Sequence, residues 1–215
     1  MYPSAPLTVF KGPFRRHRSP TIQVCDPLPV NLIDDAAALY LCALADKLVP
    51  VLGTGVRARQ ALAAAIDRRM GIAAVDRGRL AGVLGIQTAQ SGFMNMGIAL
   101  LRSHYGIFGS LWRTALLSLL HYAPMVGEVY VDGIVVAPHY RGRGVGTGLM
   151  HALEVWAMGR GLSLISLEVV DANPRAKTLY GRLGFEVAGE QTAWPIGSLF
   201  GFQSSATMIK PLVRI

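Results

Sequence analysis

Cysteine is nearly missing from this chain: Cys25 and Cys42 are the two in 215 residues. They are too few for a disulfide framework and lack the CxxC spacing of redox or zinc motifs. Both are expected as buried thiols. Histidine is scarce and scattered. His17, His104, His121, His139 and His151 form no HExxH pair and no close pairing with the cysteines, so no metal site is expected. Charge is sparse as well, at 16% of residues, and unbalanced: 21 lysines and arginines against 13 acidic residues leave a net +8. That balance favours anionic partners, and it does not choose among nucleic acid, anionic lipid and a phosphorylated cofactor. RNP, zinc-knuckle and helix-turn-helix patterns are missing, so specific nucleic-acid binding would rest on charge alone. Long apolar runs are absent too. The Leu-rich segment 97–122 is interrupted by Arg102, His104, Arg113 and His121, which leaves it short of the roughly 18 to 20 apolar residues of a membrane span. No apolar h-region follows a basic start, so no secretory signal is read and the expected location is cytoplasmic.

What the chain has in abundance is apolar residues, 52% of the total, with a mean hydropathy of +0.38. Such a composition is far from the signature of disorder, and the length suits one domain with a substantial core. Pro3, Pro6, Pro13 and Pro20 mixed with Lys11, Arg15, Arg16 and Arg18 read as a flexible basic arm over 1–20. The single domain then covers 21–215.

Helical spacing recurs over 34–48, with Asp34 or Asn31 available as N-cap, and over 56–69. Residues 71–75 and 80–88 read as strands joined by the turn Asp76-Arg77-Gly78-Arg79, an early antiparallel hairpin. Segment 93–122 reads as a helical insertion of one or two helices, interrupted around Gly106 and Gly109. Packing on the core is the simpler account than a membrane-facing surface, and an acceptor-pocket wall is the other reading kept open. Beyond it, strand 128–136, helix 146–160, strand 163–170 and helix 174–183 form a β-α-β-α unit, closed by strands at 185–188 and 204–210 with Pro195 and Gly197 between them.

The chemistry concentrates in Ile134-Val135-Val136-Ala137-Pro138-His139-Tyr140-Arg141-Gly142-Arg143-Gly144-Val145-Gly146-Thr147. Here a buried strand passes through a glycine-rich turn into a helix, so backbone amides and the helix dipole converge on an anion, and a pyrophosphate is a natural ligand. A dinucleotide GxGxxG fingerprint fails, because Thr147 and Leu149 stand where its third glycine belongs. A P-loop fails for want of a lysine. What remains is Arg141-x-x-Gly144-x-Gly146, which resembles the pyrophosphate motif of GNAT acetyltransferases. Leu149, Leu153, Trp156 and Ala157 on one face of the next helix fit the same order of elements.

A second segment, Asn173-Pro174-Arg175-Ala176-Lys177-Thr178-Leu179-Tyr180-Gly181-Arg182-Leu183-Gly184-Phe185, is similar to the NxxAxxLYxxxGF signature of that superfamily. Its mechanics are readable alone: Asn173 is an N-cap, Pro174 takes the first helical position, and Gly184 is placed for a left-handed cap. Tyr180 by itself would be read as a core aromatic sharing a face with Leu179 and Leu183.

The resemblance covers 129–189 and implies a GNAT fold, an α/β (α+β) architecture with a central mixed, mostly antiparallel twisted sheet flanked by helices. It implies an acetyl-CoA-dependent N-acetyltransferase that uses coenzyme A as carrier. Binding would fall to the backbone of Ile134, Val135 and Val136, to the loop Arg141, Gly142, Arg143, Gly144, Val145, Gly146 and Thr147, and to Asn173. Tyr180 aligns with the tyrosine that protonates the departing thiolate, and Lys177 and Arg182 would add positive potential. For the base, Glu168 stands twelve positions before Tyr180, a spacing similar to the Glu/Tyr pair of bacterial ribosomal-protein N-terminal acetyltransferases, although a strand carboxylate of purely structural role explains it equally well. Asp132 is the weaker alternative, and Glu128 is a third carboxylate on these strands. The implied acceptor is a primary amine, on a small molecule or a protein N-terminus, and a homodimer is common in that family. A catalytically silent acyl-CoA sensor or interaction module with the same fold is the rival reading.

Overall fold

The computed structural model describes residues 22–119, 122–192 and 202–212. The basic arm expected over 1–20 lies outside these, as do Pro195 and Gly197. Among the described residues, seven strands join one sheet in the order β1-β2-β3-β4-β5-β7-β6. They are β1 (Ile22–Cys25), β2 (Gly71–Asp76), β3 (Arg79–Gln87), β4 (Glu128–Val136), β5 (Leu164–Val170), β6 (Glu186–Thr192) and β7 (Ser204–Pro211). Only β4 and β5 pair in parallel, with α5 (Val145–Met158) as their crossover. This is the mixed, mostly antiparallel sheet the resemblance implied. The turn between β2 and β3 has φ 50 at Arg77 and φ 79 at Gly78, the two left-handed residues of a hairpin whose twist suits its strands.

Helices cover both faces, and two glycines of β3 show why. A Cβ on Gly82 would stand 2.9 Å from Val135 O and 3.1 Å from Val145 Cγ1, whereas one on Gly85 would stand 2.6 Å from Phe93 and 2.7 Å from the Tyr40 hydroxyl. Three residues apart on a strand, these positions face opposite ways. One admits α5, with Leu149, Leu153, Trp156 and Ala157 buried as their spacing predicts. The other admits Phe93 and, from α1 (Ile33–Ala43), the buried Tyr40.

Three local expectations are corrected. The helix expected over 34–48 breaks at Leu44 (φ −110, ψ 31) into α1 and α2 (Ala45–Leu52). Pro50 inside α2 lacks the N–H that a continuous helix would use. Neither Asp34 nor Asn31 caps α1: a 3-10 turn over Val30–Leu32 leads in, Leu32 takes the N-cap position, and Asp34 falls in the first turn. Finally, Cys42 is exposed and Cys25 half-buried, because the buried face of α1 is Ala36, Ala37 and Tyr40 and Cys42 points away from it.

The second helix, α3 (Gly55–Ala65), ends four residues before its expected limit of 69, and β6 runs further than its expected 185–188. The insertion forms α4 (Ile98–Leu119), kinked at Gly106 (φ 73, ψ −178) where the glycine signal placed an interruption. Its Tyr105 hydroxyl donates to Leu52 O at 2.8 Å, tying it to α2. The last helix, α6 (Pro174–Arg182), ends in a Schellman motif: Phe185 N–H donates to Tyr180 O (3.0 Å) and Gly184 N–H to Gly181 O (3.1 Å), with Gly184 at φ 86.

Candidate active site

The site begins with a fault in the sheet. Against β3, Gly85 pairs with Gly133 and Ile86 with Val131, so Asp132 is an extra residue bulging out of β4. A bulge bends its strand and raises its twist. Accordingly β4 and β5 pair only through residues 128–131 and 164–167, and past Asp132 and Glu168 they diverge into a wedge. Tyr40, buried beneath the bulge, donates its hydroxyl to Gly133 O at 2.7 Å across 93 residues of sequence. Burial, and secondarily the Asp132 charge, holds its pKa well above the usual phenol value.

Ladder alternation decides which backbone groups face the wedge. Ala137 N–H donates to Ala81 O at 2.9 Å on the β3 side, so Val135 and Gly133 also turn their polar groups towards β3, and Ile134 and Val136 turn theirs away from it. Val135, expected among the cofactor contacts, therefore spends its backbone within the sheet and buries its side chain. Ile134 and Val136 border the wedge, and Arg141 Nε already donates to Val136 O at 3.1 Å.

At the wide end lies the glycine loop. Gly142 (φ 73) and Gly144 (φ 80) take left-handed conformations that a side chain would strain, and Gly144 is the N-cap of α5. The first intrahelical bond there runs from Gly148 N–H to Gly144 O. That leaves the N–H groups of Val145, Gly146 and Thr147 without helical acceptors at the positive end of the dipole. Arg141, Gly142 and Arg143 are exposed around them, with the Arg143 guanidinium 5.9 Å above the Tyr140 ring. Tyr140 anchors the loop by donating to Asp76 Oδ2 at 3.1 Å. A Cβ at Gly146 would meet Leu179, Val136 and Ile134 at 3.7 to 4.0 Å, so α5, α6 and β4 come together at this point. These features fit a pantetheine diphosphate of the coenzyme A kind: narrow, polar along the backbone and cationic at the mouth.

Asn173 caps α6 as its sequence position predicts, accepting from Ala176 N–H at 3.2 Å. Lys177 is engaged with Glu190 at 2.9 Å, which offsets part of the positive potential expected from it. Tyr180 is buried, 5.9 Å from the Phe185 ring, and burial pushes its pKa up to about 12. Its hydroxyl makes no hydrogen bond to the described residues and is not one of the polar atoms sealed from solvent, so it is open to water or a ligand.

Beyond the bulge opens a cleft of about 760 Å³ whose lining includes Lys47, Tyr122, Tyr130, Asp132, Glu168 and Phe202. Leu117 of α4 also lines it, so the insertion both packs on the core and walls the cleft. Tyr122 and Tyr130 stack at 4.3 Å. The three strand carboxylates separate clearly here. Glu128 is buried and saturated, accepting from Tyr122 Oη (2.9 Å), Met125 N–H (2.8 Å) and Ser166 Oγ. Glu168 accepts from Ser205 Oγ at 2.5 Å. Asp132 alone has an oxygen, Oδ2, shut off from solvent with no partner among the described residues. Burial raises its pKa to about 6, against a smaller lowering by the Lys47 ammonium. Lys47 and Tyr40 escaped sequence reading because nothing local marks them; both act through contacts made only on folding.

Sheet order, splayed parallel pair and glycine loop together make this a GNAT fold. A model of the acetyltransferase (GNAT) family matches residues 47–185, and the chain belongs to that family. Over 67 residues it is 38% identical to the thialysine N-epsilon-acetyltransferase of Mus musculus, covering 31% of this chain and 39% of that protein. Over 71 residues it is 41% identical to the mycothiol acetyltransferase of Corynebacterium aurimucosum, covering 33% of this chain and 23% of that protein. The chain thus matches well under half the length of these relatives. In fold it is similar to the ribosomal-protein-S18-alanine N-acetyltransferase from Escherichia coli, with a TM-score of 0.55 at 17% identity over 90% of this chain and 96% of that one.

Proposed function

We propose that this protein is an N-acetyltransferase that moves an acetyl group from acetyl-CoA to a primary amine. The observation that carries the reading is the order of features along β4. Along β4 follow, in order, the carboxylate-lined cleft at Tyr130 and Asp132, the stretch past the bulge where β5 no longer pairs with it, and the N-terminus of α5 with its N–H groups lacking helical acceptors. When bound, acetyl-CoA supplies an acetyl group activated as a thioester. Val145, Gly146 and Thr147 N–H groups with Arg141 and Arg143 hold the phosphates, and the backbone of Ile134 and Val136 lines the arm. Asn173 steadies α6 so that Tyr180 is fixed beside the wedge.

Tyr180 is the general acid: with a pKa of about 12 its oxygen keeps a proton at neutral pH for the departing sulfur. Glu168 and Asp132 are the two candidates for the base. Asp132 is favoured, because it lines the cleft and its pKa of about 6 leaves it ionised yet basic at neutral pH. Both carboxylates favour an acceptor that arrives as a cation.

The test is thermal stability with and without acetyl-CoA, followed by thiol release with a panel of amines. Saturating acetyl-CoA is expected to raise Tm, as any ligand specific for the folded state must. No shift with acetyl-CoA or coenzyme A would overturn the reading, and a shift without thiol release from any amine would favour the silent sensor.

Asp132→Asn should lower kcat/KM by roughly 10²-fold or more and remove the limb on which activity rises through about pH 6. The same change should stabilise the fold. A carboxyl whose folded pKa lies above its unfolded value near 3.8 loses stability as pH rises from that value to about 6, and the amide escapes this loss. An unchanged limb in Asp132→Asn would move the role to Glu168, with Glu168→Gln the next variant to profile.

A further inference from the structure

One face of α4 is turned the wrong way for a surface helix. After the kink at Gly106, positions 107, 111, 115, 108 and 112 fall within an arc of about 140° at about 100° per residue. Ile107, Phe108, Leu111 and Trp112 on that arc are 55%, 86%, 54% and 47% exposed. The opposite arc holds the buried Ser110 and the half-buried Leu117, which face the body of the protein. A helix of a soluble domain ordinarily buries its apolar side, and contiguous exposed apolar surface marks an interaction site.

Charge on α3 and α4 has one sign, and the one acidic residue of the neighbouring α2 is Asp46 in its first turn. No aspartate or glutamate occurs at 47–66 or at 77–127, so α3 and α4 carry only cations. Arg57, Arg59 and Arg102 are exposed, and the field of Arg57 reaches Tyr105. Arg113 stacks its guanidinium over Tyr105 at 3.9 Å and over Trp112 at 4.2 Å, which places a cation at the rim of the apolar arc. Two copies set face to face would bring these flanks together with no acidic residue on either α3 or α4. Nucleic acid matches the arginines and leaves Ile107, Phe108 and Leu111 with nothing to contact.

We propose that this face docks on an anionic lipid bilayer, the apolar side chains entering the headgroup boundary and the arginines meeting lipid phosphates. It lies on the surface without crossing, since no helix among the described residues is long and apolar enough to span. Arg113 is held by the Tyr105 and Trp112 rings and donates to Gly109 O at 3.0 Å, so it is oriented before lipid arrives. The proposal does not depend on the reaction assigned to the cleft.

Flotation of the full chain with vesicles tests it, using phosphatidylcholine alone and phosphatidylcholine with phosphatidylglycerol. The expected result is binding to the anionic vesicles, weakened by salt, and reduced about tenfold or more in the Phe108→Asp/Leu111→Asp double variant. Thermal melting checks that variant, and Phe108→Gln replaces it if the double change unfolds the chain. Failure to bind anionic vesicles would overturn the proposal. So would equal binding to neutral vesicles, or variants that bind as well as the wild type, which would shift the affinity to the basic segment 1–20. A wild-type dimer that Phe108→Gln dissociates, without vesicle binding, would assign the face to a second copy instead.

Discussion

Tyr180→Phe is expected to lower kcat by roughly 10²- to 10³-fold, the range in which one positioned proton donor contributes. Acetyl-CoA affinity and Tm should stay close to wild type. The phenyl ring keeps its contact with Phe185, and the hydroxyl is not one of the polar atoms sealed from solvent, so its removal leaves no buried group unsatisfied. Because burial places the pKa at about 12, the wild-type enzyme should show no titration of this group below pH 10 or so. Rates measured at saturating substrate, paired with cofactor titration by calorimetry, separate the two effects. A variant with full kcat would mean that Tyr180 is packing alone.

Gly144→Glu should abolish cofactor binding in a chain that still folds. Gly144 caps α5 at φ 80, so any side chain there is strained, at a cost of about 1 kcal/mol. The larger effect is electrostatic. A carboxylate about 4 Å from a phosphate near the protein surface opposes it by about 4 kcal/mol, roughly a thousandfold in affinity. Gly144→Ala, which carries the strain without the charge, should lose far less. Equal losses in the two variants would point to backbone distortion, and undiminished binding to Gly144→Glu would remove the loop from the cofactor site.

Much of the architecture was legible because its cues are local. The span of β4 follows from an apolar run between turn signals, α5 from Gly144 and its periodic face, and α6 from Asn173, Pro174 and Gly184 acting at fixed offsets. β1 was not legible: four residues beside a proline become a strand only because β2 offers them an edge. The same holds for the break at Leu44, which local periodicity runs straight through.

The chain's own residue order determined the family, the glycine turn into α5 and the place of Tyr180, since each rests on backbone conformation within a few positions. Tertiary structure alone decided which carboxylate is unusual. Glu128, Asp132 and Glu168 look alike on neighbouring strands, and only folding saturates the first with hydrogen bonds, pairs the last with Ser205 and leaves Asp132 at a bulge with its Oδ2 unpartnered among the described residues. It also decided that Tyr40, 93 residues from Gly133, would sit beneath that bulge, and that the apolar arc of α4 would face outward. Burial and partnering are properties of assembled surfaces, and no local pattern encodes them.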